Sequence, residues 1–321
     1  MSFVSRRIQS LNNRVFKRIG REEIREALVR LGLSAGDRVY AHVSMRRIGY
    51  VTGGPAEVAG AILDVIGTEG TLMMAAWPSA EPARHDPAEV FDVAASPSRS
   101  GLVSEAVRTM PSALRSLHPL ASVACVGQMA RDLVEGHEAC ETPFGEKSPY
   151  GRLASSSAKL LLVGAHLGGL LYHVLDRVGF PNLYDRPARP FEVRDAGGHY
   201  RRINSPTLRA IPPVVILPGS RPENRDYLLV PDYALMFPSE RERRVMEAGY
   251  LRFNRSRFLG RRERLQSRGI LTPGRVGGSE AALLDGARMI EQVCADLAWD
   301  IARFKEEYDA DHLSRLSLPV F

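Results

Sequence analysis

Short apolar runs of buried-strand length alternate along this chain with amphipathic helical stretches, and that alternation restricts it to a layered α/β sheet. Arg38–Val43, Thr71–Ala76, Ser122–Val126 and Lys159–Ala165 read as strands. Between them the spacing predicts helices over Arg21–Leu33, closed by Gly32, and over Ala56–Ile66, with Pro55 at its first turn. Further helices are expected over Gly101–Met110, over Gly127–Glu135 and after His166–Gly169. Residues 78–99, rich in Pro, Ala, Asp and Ser, read as a long loop, and Ser279–Phe304 as a long amphipathic helix. Pro187–Ile203 alternates like a hairpin about Ala196-Gly197-Gly198, which would make the sheet mixed. The expected architecture is α/β/α around a mixed sheet, with residues 1–21 as an arm and 22–321 as a single domain.

Composition removes other classes. Hydrophobic residues at 44% and charged residues at 25% are those of a globular chain, which excludes a disordered chain, a collagen and a coiled-coil rod. No apolar run reaches the roughly 20 residues that a membrane helix needs. Three widely spaced cysteines, Cys125, Cys140 and Cys294, with no Cys-x-x-Cys pair, argue against a disulfide framework and a Cys-rich zinc site; they read as reduced thiols of a cytoplasmic protein.

The net charge of +6 is unevenly placed. Residues 1–21 carry +6 and residues 241–268 carry +7, so the rest of the chain carries −7. Phe3, Val4, Ile8, Leu11, Val15, Phe16 and Ile19 fall near helical spacing among the first basic residues. They suit an amphipathic arm packed on the body or on the partner subunit of a homodimer; an organellar transit peptide has the same composition. The second patch reads as a solvated helical face rather than a nucleic-acid surface, because no nucleic-acid module accompanies it.

Four stretches follow strands, where open α/β sheets bind ligands. Ala41 to Arg46, with Gly53-Gly54 further on, offers backbone N–H groups to an anion or forms an ordinary turn. Arg115-Ser116-Leu117-His118-Pro119, with Ser122, reads equally as a binding loop or a capped turn. Ser148 to Leu153 reads as loop then turn. In Leu171 to Asp176, His173 and Asp176 stand three apart on one helix face and can meet. A carboxylate beside an imidazole suits a general base, though an ordinary surface ion pair has the same spacing. His166, His173 and Asp176 as metal ligands would give a metal-dependent hydrolase, but the Gly-Gly between the histidines makes a poor ligand frame.

In this order the stretches resemble the aminoglycoside 3-N-acetyltransferase family, the antibiotic acetyltransferases distinct from the GNAT fold. The resemblance rests on Leu31-Gly32 to Gly36-Asp37, His42-Val43-Ser44, Gly53-Gly54, Gly70-Thr71-Leu72-Met73, Ser96-Pro97-Ser98 with Gly101, Arg115 to Ser122, and Ser148-Pro149. Leu160 to Gly164, His173 to Asp176 and Gly274-Arg275-Val276-Gly277 leading to Asp285 complete it. It implies direct acyl transfer from acetyl-CoA to a small-molecule amine, with His173 as base and Asp176 orienting it. It also places Ser44, Met45, Arg46, Ser98, Ser116 and His118 near the coenzyme, with backbone N–H groups near Ser44 as oxyanion donors. No resident metal is implied.

The chain departs from the family where Asp176 replaces a Glu and Leu170 a Thr, and the segment 196–225 has no counterpart. These changes surround the acceptor side. They leave open an aminoglycoside, another biosynthetic amine or an acidic carrier protein as acceptor. A non-catalytic binding relative is the remaining alternative.

Overall fold

The computed structural model describes residues 18–79, 89–165, 169–179, 183–208, 214–216, 227–228 and 263–295. Most of the N-terminal arm and of the 241–268 basic stretch lie outside the described residues. Strands are numbered in chain order: β1 (Arg18–Ile19), β2 (Arg38–Val43), β3 (Tyr50–Val51), β4 (Thr71–Ala75), β5 (Phe91–Asp92), β6 (Leu114–Arg115), β7 (Val123–Gly127), β8 (Lys159–Val163), β9 (Tyr184–Arg194), β10 (Tyr200–Leu208), β11 (Val214–Ile216), β12 (Tyr227–Leu228), β13 (Leu271–Val276) and β14 (Ser279–Asp285).

The main sheet runs β13-β14-β8-β2-β4-β7-β6. Its middle strands β8, β2 and β4 are parallel; β7, β6, β14 and β13 join antiparallel. Because side chains alternate across a strand, each central strand feeds two cores. Tyr40, Met73, Ala75, Leu160 and Leu162 face one core, which takes in the helices Ala130–Val134, Pro149–Ala154 and Gly169–Arg177 and the helix over 286–295. Val39, Ala41, Leu72, Met74, Leu161 and Val163 face the other, with Arg21–Leu31, Pro55–Ile66 and Leu102–Arg108. The result is the expected α/β/α layering around a mixed sheet.

Local sequence fixes the element ends. Ile24, Ala27, Leu28 and Leu31 form the buried stripe of the first long helix. Glu23 accepts from the Gly20 amide at 2.7 Å at its start, and Gly32 at φ 102° ends it in the left-handed region.

Three expectations need correction. Ser279–Asp285 is a strand and not the start of a long helix; the helix covers 286–295, and 296–304 lie outside the described residues. Ala281 to Leu284 is buried on both sides, between β8 and β13, so the run carries no period that separates strand from helix. The hairpin β9–β10 does form, but it builds a separate sheet with β5 over a small core of Phe91, Val93, Val193 and Ile203. The main sheet is mixed through its own outer strands instead. β5 itself lies inside the segment read as a loop.

Candidate active site

The sheet topology gathers the marked stretches at one edge. The parallel strands β2, β4 and β8 end at Val43, Ala75 and Val163, and Ala75 pairs with Val123 at the start of antiparallel β7. Residues 44–48, 96–101, 115–122 and the helix Gly169–Arg177 therefore follow or precede strands at the carboxyl edge, where such sheets bind ligands. Ser44 precedes the short helix Met45–Ile48. Its amide donates to the Val163 carbonyl at 2.9 Å, so it is not an oxyanion donor. The amides of Met45 and Arg46 stand in the first turn, where no intrahelical acceptor exists. Arg46 is exposed and Met45 partly buried. The turn before β14 closes on this region: Gly278 donates to the Ile48 carbonyl at 2.8 Å. The Gly-Arg-x-Gly run is thus the end of β13 entering its hairpin turn beside residues 45–48.

Arg115 is the organiser of the second stretch. Its guanidinium donates to the carbonyls of Ala76 at 2.6 Å, Val93 at 3.3 Å and Ser96, and to Ser122 Oγ at 3.1 Å. It also lies 4.8 Å from the centre of the Phe91 ring. Burial pulls its pKa down to about 9, which leaves it charged at neutral pH. The loop it holds carries Ser98, whose amide donates to Glu105 at 2.7 Å and whose Oγ accepts from Ser100 at 3.2 Å.

Ser116 and His118 are both buried. Ser116 Oγ accepts from the Val123 amide at 2.9 Å and lies 2.9 Å from His137 Nδ1. His137 Nε2 is 2.9 Å from the Pro143 carbonyl; a carbonyl only accepts, so Nε2 carries the proton and Nδ1 accepts from the serine hydroxyl. His137 is fully satisfied, and burial pushes its pKa down to about 3. His118 stacks on it with ring centres 4.4 Å apart. His118 Nδ1 accepts from the amides of Leu120 (3.2 Å) and Ala121 (3.3 Å), so its proton sits on Nε2, which is buried without a partner among the described residues. Burial, then the neighbouring His137, holds its pKa well below the usual histidine range.

His173 is buried and has the opposite tautomer. Its Nδ1 donates to the Phe144 carbonyl at 2.7 Å, leaving an unprotonated Nε2 with no partner among the described residues. Burial lowers its pKa, so the ring is neutral at neutral pH with a lone pair available. Asp176 does not supply the expected direct contact: its carboxylate accepts from the Tyr184 hydroxyl. Phe144, whose carbonyl His173 binds, has its ring 5.0 Å from Tyr172 and 6.0 Å from Trp77, centre to centre. Phe144 also lies 5.0 Å from Tyr150, and Tyr150 6.4 Å from His137, so one aromatic body joins the His173 and His118 regions. Trp77 Nε1 donates to the Tyr150 hydroxyl at 2.8 Å, which donates to the Ala121 carbonyl at 3.0 Å. Ser148-Pro149 is a helix start: Ser148 Oγ donates to the Gly145 carbonyl at 2.6 Å and accepts from the Gly151 amide at 3.4 Å.

The sequence reading missed His137, Phe144, Trp77 and Tyr184. Only Trp77, directly after a strand, carried a positional signal. His166 lies outside the described residues, and among those described no group of His, Cys, Asp and Glu could hold a metal ion. Nor is any described helix long and apolar enough to cross a membrane.

Fold and geometry define an α/β protein that gathers a candidate site at the carboxyl edge of a mixed sheet, with two neutral histidines of opposite tautomer joined by an aromatic wall. The chain belongs to the aminoglycoside 3-N-acetyltransferase family, whose model matches residues 41–297, and is by that membership an N-acetyltransferase. It is 38% identical over 198 residues to aminoglycoside N(3)-acetyltransferase VIII of Streptomyces fradiae, covering 54% of this chain and 69% of the relative. It is 38% identical over 173 residues to aminoglycoside N(3)-acetyltransferase IX of Micromonospora chalcea, covering 48% and 61%. Among solved structures, the aminoglycoside acetyltransferase AAC(3)-Xa is similar with a TM-score of 0.65 at 25% identity, over 92% of this chain and 98% of that one. AAC-IIIb, solved with CoASH, shares the fold at a TM-score of 0.61 and 22% identity, over 87% and 96%.

Proposed function

We propose that the protein acetylates the 3-amino group of an aminoglycoside, taking the acetyl group from acetyl-CoA without a covalent enzyme intermediate. The observation that carries the chemistry is the tautomer of His173: with Nδ1–H on a backbone carbonyl, only Nε2 remains, unprotonated and without a partner among the described residues. Nε2 takes a proton from the attacking amine as the C–N bond forms; the thioester C–S bond then breaks, the sulfur receives that proton from Nε2, and CoA leaves as its thiol. Acetyl-CoA lies along residues 44–46, 98 and 116–118, and the first-turn amides of Met45 and Arg46 face the developing oxyanion. The acceptor rests on family membership and on the names of the relatives. The test is to incubate the protein with acetyl-CoA and a 2-deoxystreptamine aminoglycoside, follow CoA release and locate the acetyl group by NMR. Acetylation at the 3-amine supports the reading; release of CoA only with other amines, or none, refutes the acceptor.

A further inference from the structure

We propose that His137 is a positioning residue that fixes the base side and the coenzyme side of the site relative to each other. This rests on the reading of His173 as the base and of residues 116–118 as coenzyme contacts. His137 is fully buried and has no part in the proton transfer described above. Its Nδ1 accepts from the Ser116 hydroxyl at 2.9 Å, and its ring stacks on His118 with 4.4 Å between centres. It therefore holds two residues of the coenzyme stretch. On the other side, its Nε2–H donates to the Pro143 carbonyl at 2.9 Å. The next carbonyl along the chain, that of Phe144, accepts from His173 Nδ1 at 2.7 Å. One imidazole thus stands between Ser116 and the two-residue segment that fixes the tautomer of His173.

The link is mechanical, and each of its parts is stiff. A neutral imidazole carries an acceptor and a donor at a fixed separation on one planar ring. The Val123 amide donates to Ser116 Oγ at 2.9 Å, which leaves the hydroxyl proton for His137. Gly136, at φ 72°, turns the chain into His137, and Arg152 pins the approach by donating to the carbonyls of Asp132 and Glu135. Beyond the ring, the Phe144 side chain is wedged against Trp77, Tyr150 and Tyr172. Residues 143–144 cannot shift without repacking that aromatic body. Burial keeps His137 neutral, so both of its hydrogen bonds persist at neutral pH. A base has to be held within about 0.5 Å of its productive place, and a misplacement of about 1 Å can cost on the order of 10² in rate.

The experiment uses the full chain in four forms: unaltered, His137→Gln, His137→Asn and His173→Ala. Each is read by kcat, KM for acetyl-CoA, thermal melting and the ¹⁵N signals of the His173 ring. A glutamine amide places a donor where Nε2–H stood and keeps the bond to Pro143; an asparagine carbonyl stands where Nδ1 stood and keeps the bond to Ser116. His137→Gln should therefore raise KM for acetyl-CoA several-fold and leave kcat within about three-fold of the parent. His137→Asn should lower kcat on the order of 10-fold, leave KM within about two-fold and disturb the His173 ring signals. A side chain that merely fills the core would not split the two constants in opposite senses. Parallel changes of kcat and KM in both variants, following the melting temperature with the His173 signals unmoved, would overturn the proposal. So would near-parent kinetics in both while His173→Ala is inactive. Near-native turnover of His173→Ala would instead remove the base reading, and this proposal with it. Should neither His137 variant fold, the unaltered protein decides through the ¹⁵N signals of the His137 ring during titration with acetyl-CoA. His137 is fully buried, so binding reaches it through Ser116 and His118. Signals that move on saturation support the link, and signals that stay put overturn it.

Discussion

Replacing Arg115 by Met isolates what one buried guanidinium does for both stability and the coenzyme site. The charge bonds the carbonyls of Ala76, Val93 and Ser96 and the hydroxyl of Ser122, and it covers the Phe91 ring. Methionine keeps much of the volume and removes every donor. Three carbonyls left unsatisfied cost about 1 kcal/mol each, and the lost ring contact about 1 more, for roughly 4 kcal/mol. Against a typical stability of about 5–15 kcal/mol that is a large fraction. At about 2–4 °C per kcal/mol for a domain of this size, the melting temperature should fall by roughly 10 °C. The loop bearing Ser98 also loses its tie to the end of β4, so KM for acetyl-CoA should rise more than kcat falls. Calorimetry with and without acetyl-CoA, together with steady-state kinetics, checks both halves. A variant that melts within about 2 °C of the parent would refute the reasoning, since the bonds would then contribute less than 1 kcal/mol together.

Acid should destabilise the fold before most carboxylates titrate. His118, His137 and His173 are all held unprotonated, His137 down to about 3. In the unfolded chain they titrate near 6.5, so stability is fully present above that value and is lost as pH falls below it. The loss approaches about 1.4 kcal/mol per pH unit for each histidine. Melting curves between about pH 7 and pH 5 should slope downward, and a flat profile would contradict the assignment of neutral buried rings. Gly164→Ala should also be harmful, because φ is +60° and an added Cβ would stand 2.5 Å from Ser279 Oγ and 2.7 Å from Arg47 Cδ. A cost of about 2 kcal/mol and a weaker acetyl-CoA affinity through displacement of residues 44–48 are expected, with thermal melts and calorimetric titration as the readouts.

What the sequence disclosed follows from which forces leave a pattern in it. β2, β4 and β8 were legible because buried central strands read as unbroken apolar runs between turn residues. β14 was misread for the same reason: Ala281 to Leu284, enclosed on both faces, has no alternation to reveal its period. The Arg-Ser-x-His-Pro run marked a real junction. Yet the sequence held no sign that Arg115 gathers three carbonyls from two separate segments, since backbone acceptors carry no residue signature. His173 was conspicuous through its spacing to Asp176, and the spacing misled about the bond. Sharing a helix face brings two side chains near each other but does not decide which partner wins, and here a backbone carbonyl and a tyrosine eight residues on do. His137 sits in a segment with no periodicity, and only the fold shows it stacked under His118.

The most direct test of the central claim is the turnover of His173→Ala, with acetyl-CoA binding measured on the same preparation. If Nε2 of His173 removes the proton of the attacking amine, kcat falls by about 10² to 10⁴ while the affinity for acetyl-CoA stays near that of the parent. A His173→Ala protein that binds acetyl-CoA and acetylates its aminoglycoside within about three-fold of the parent rate would contradict the account, whatever else the site contains.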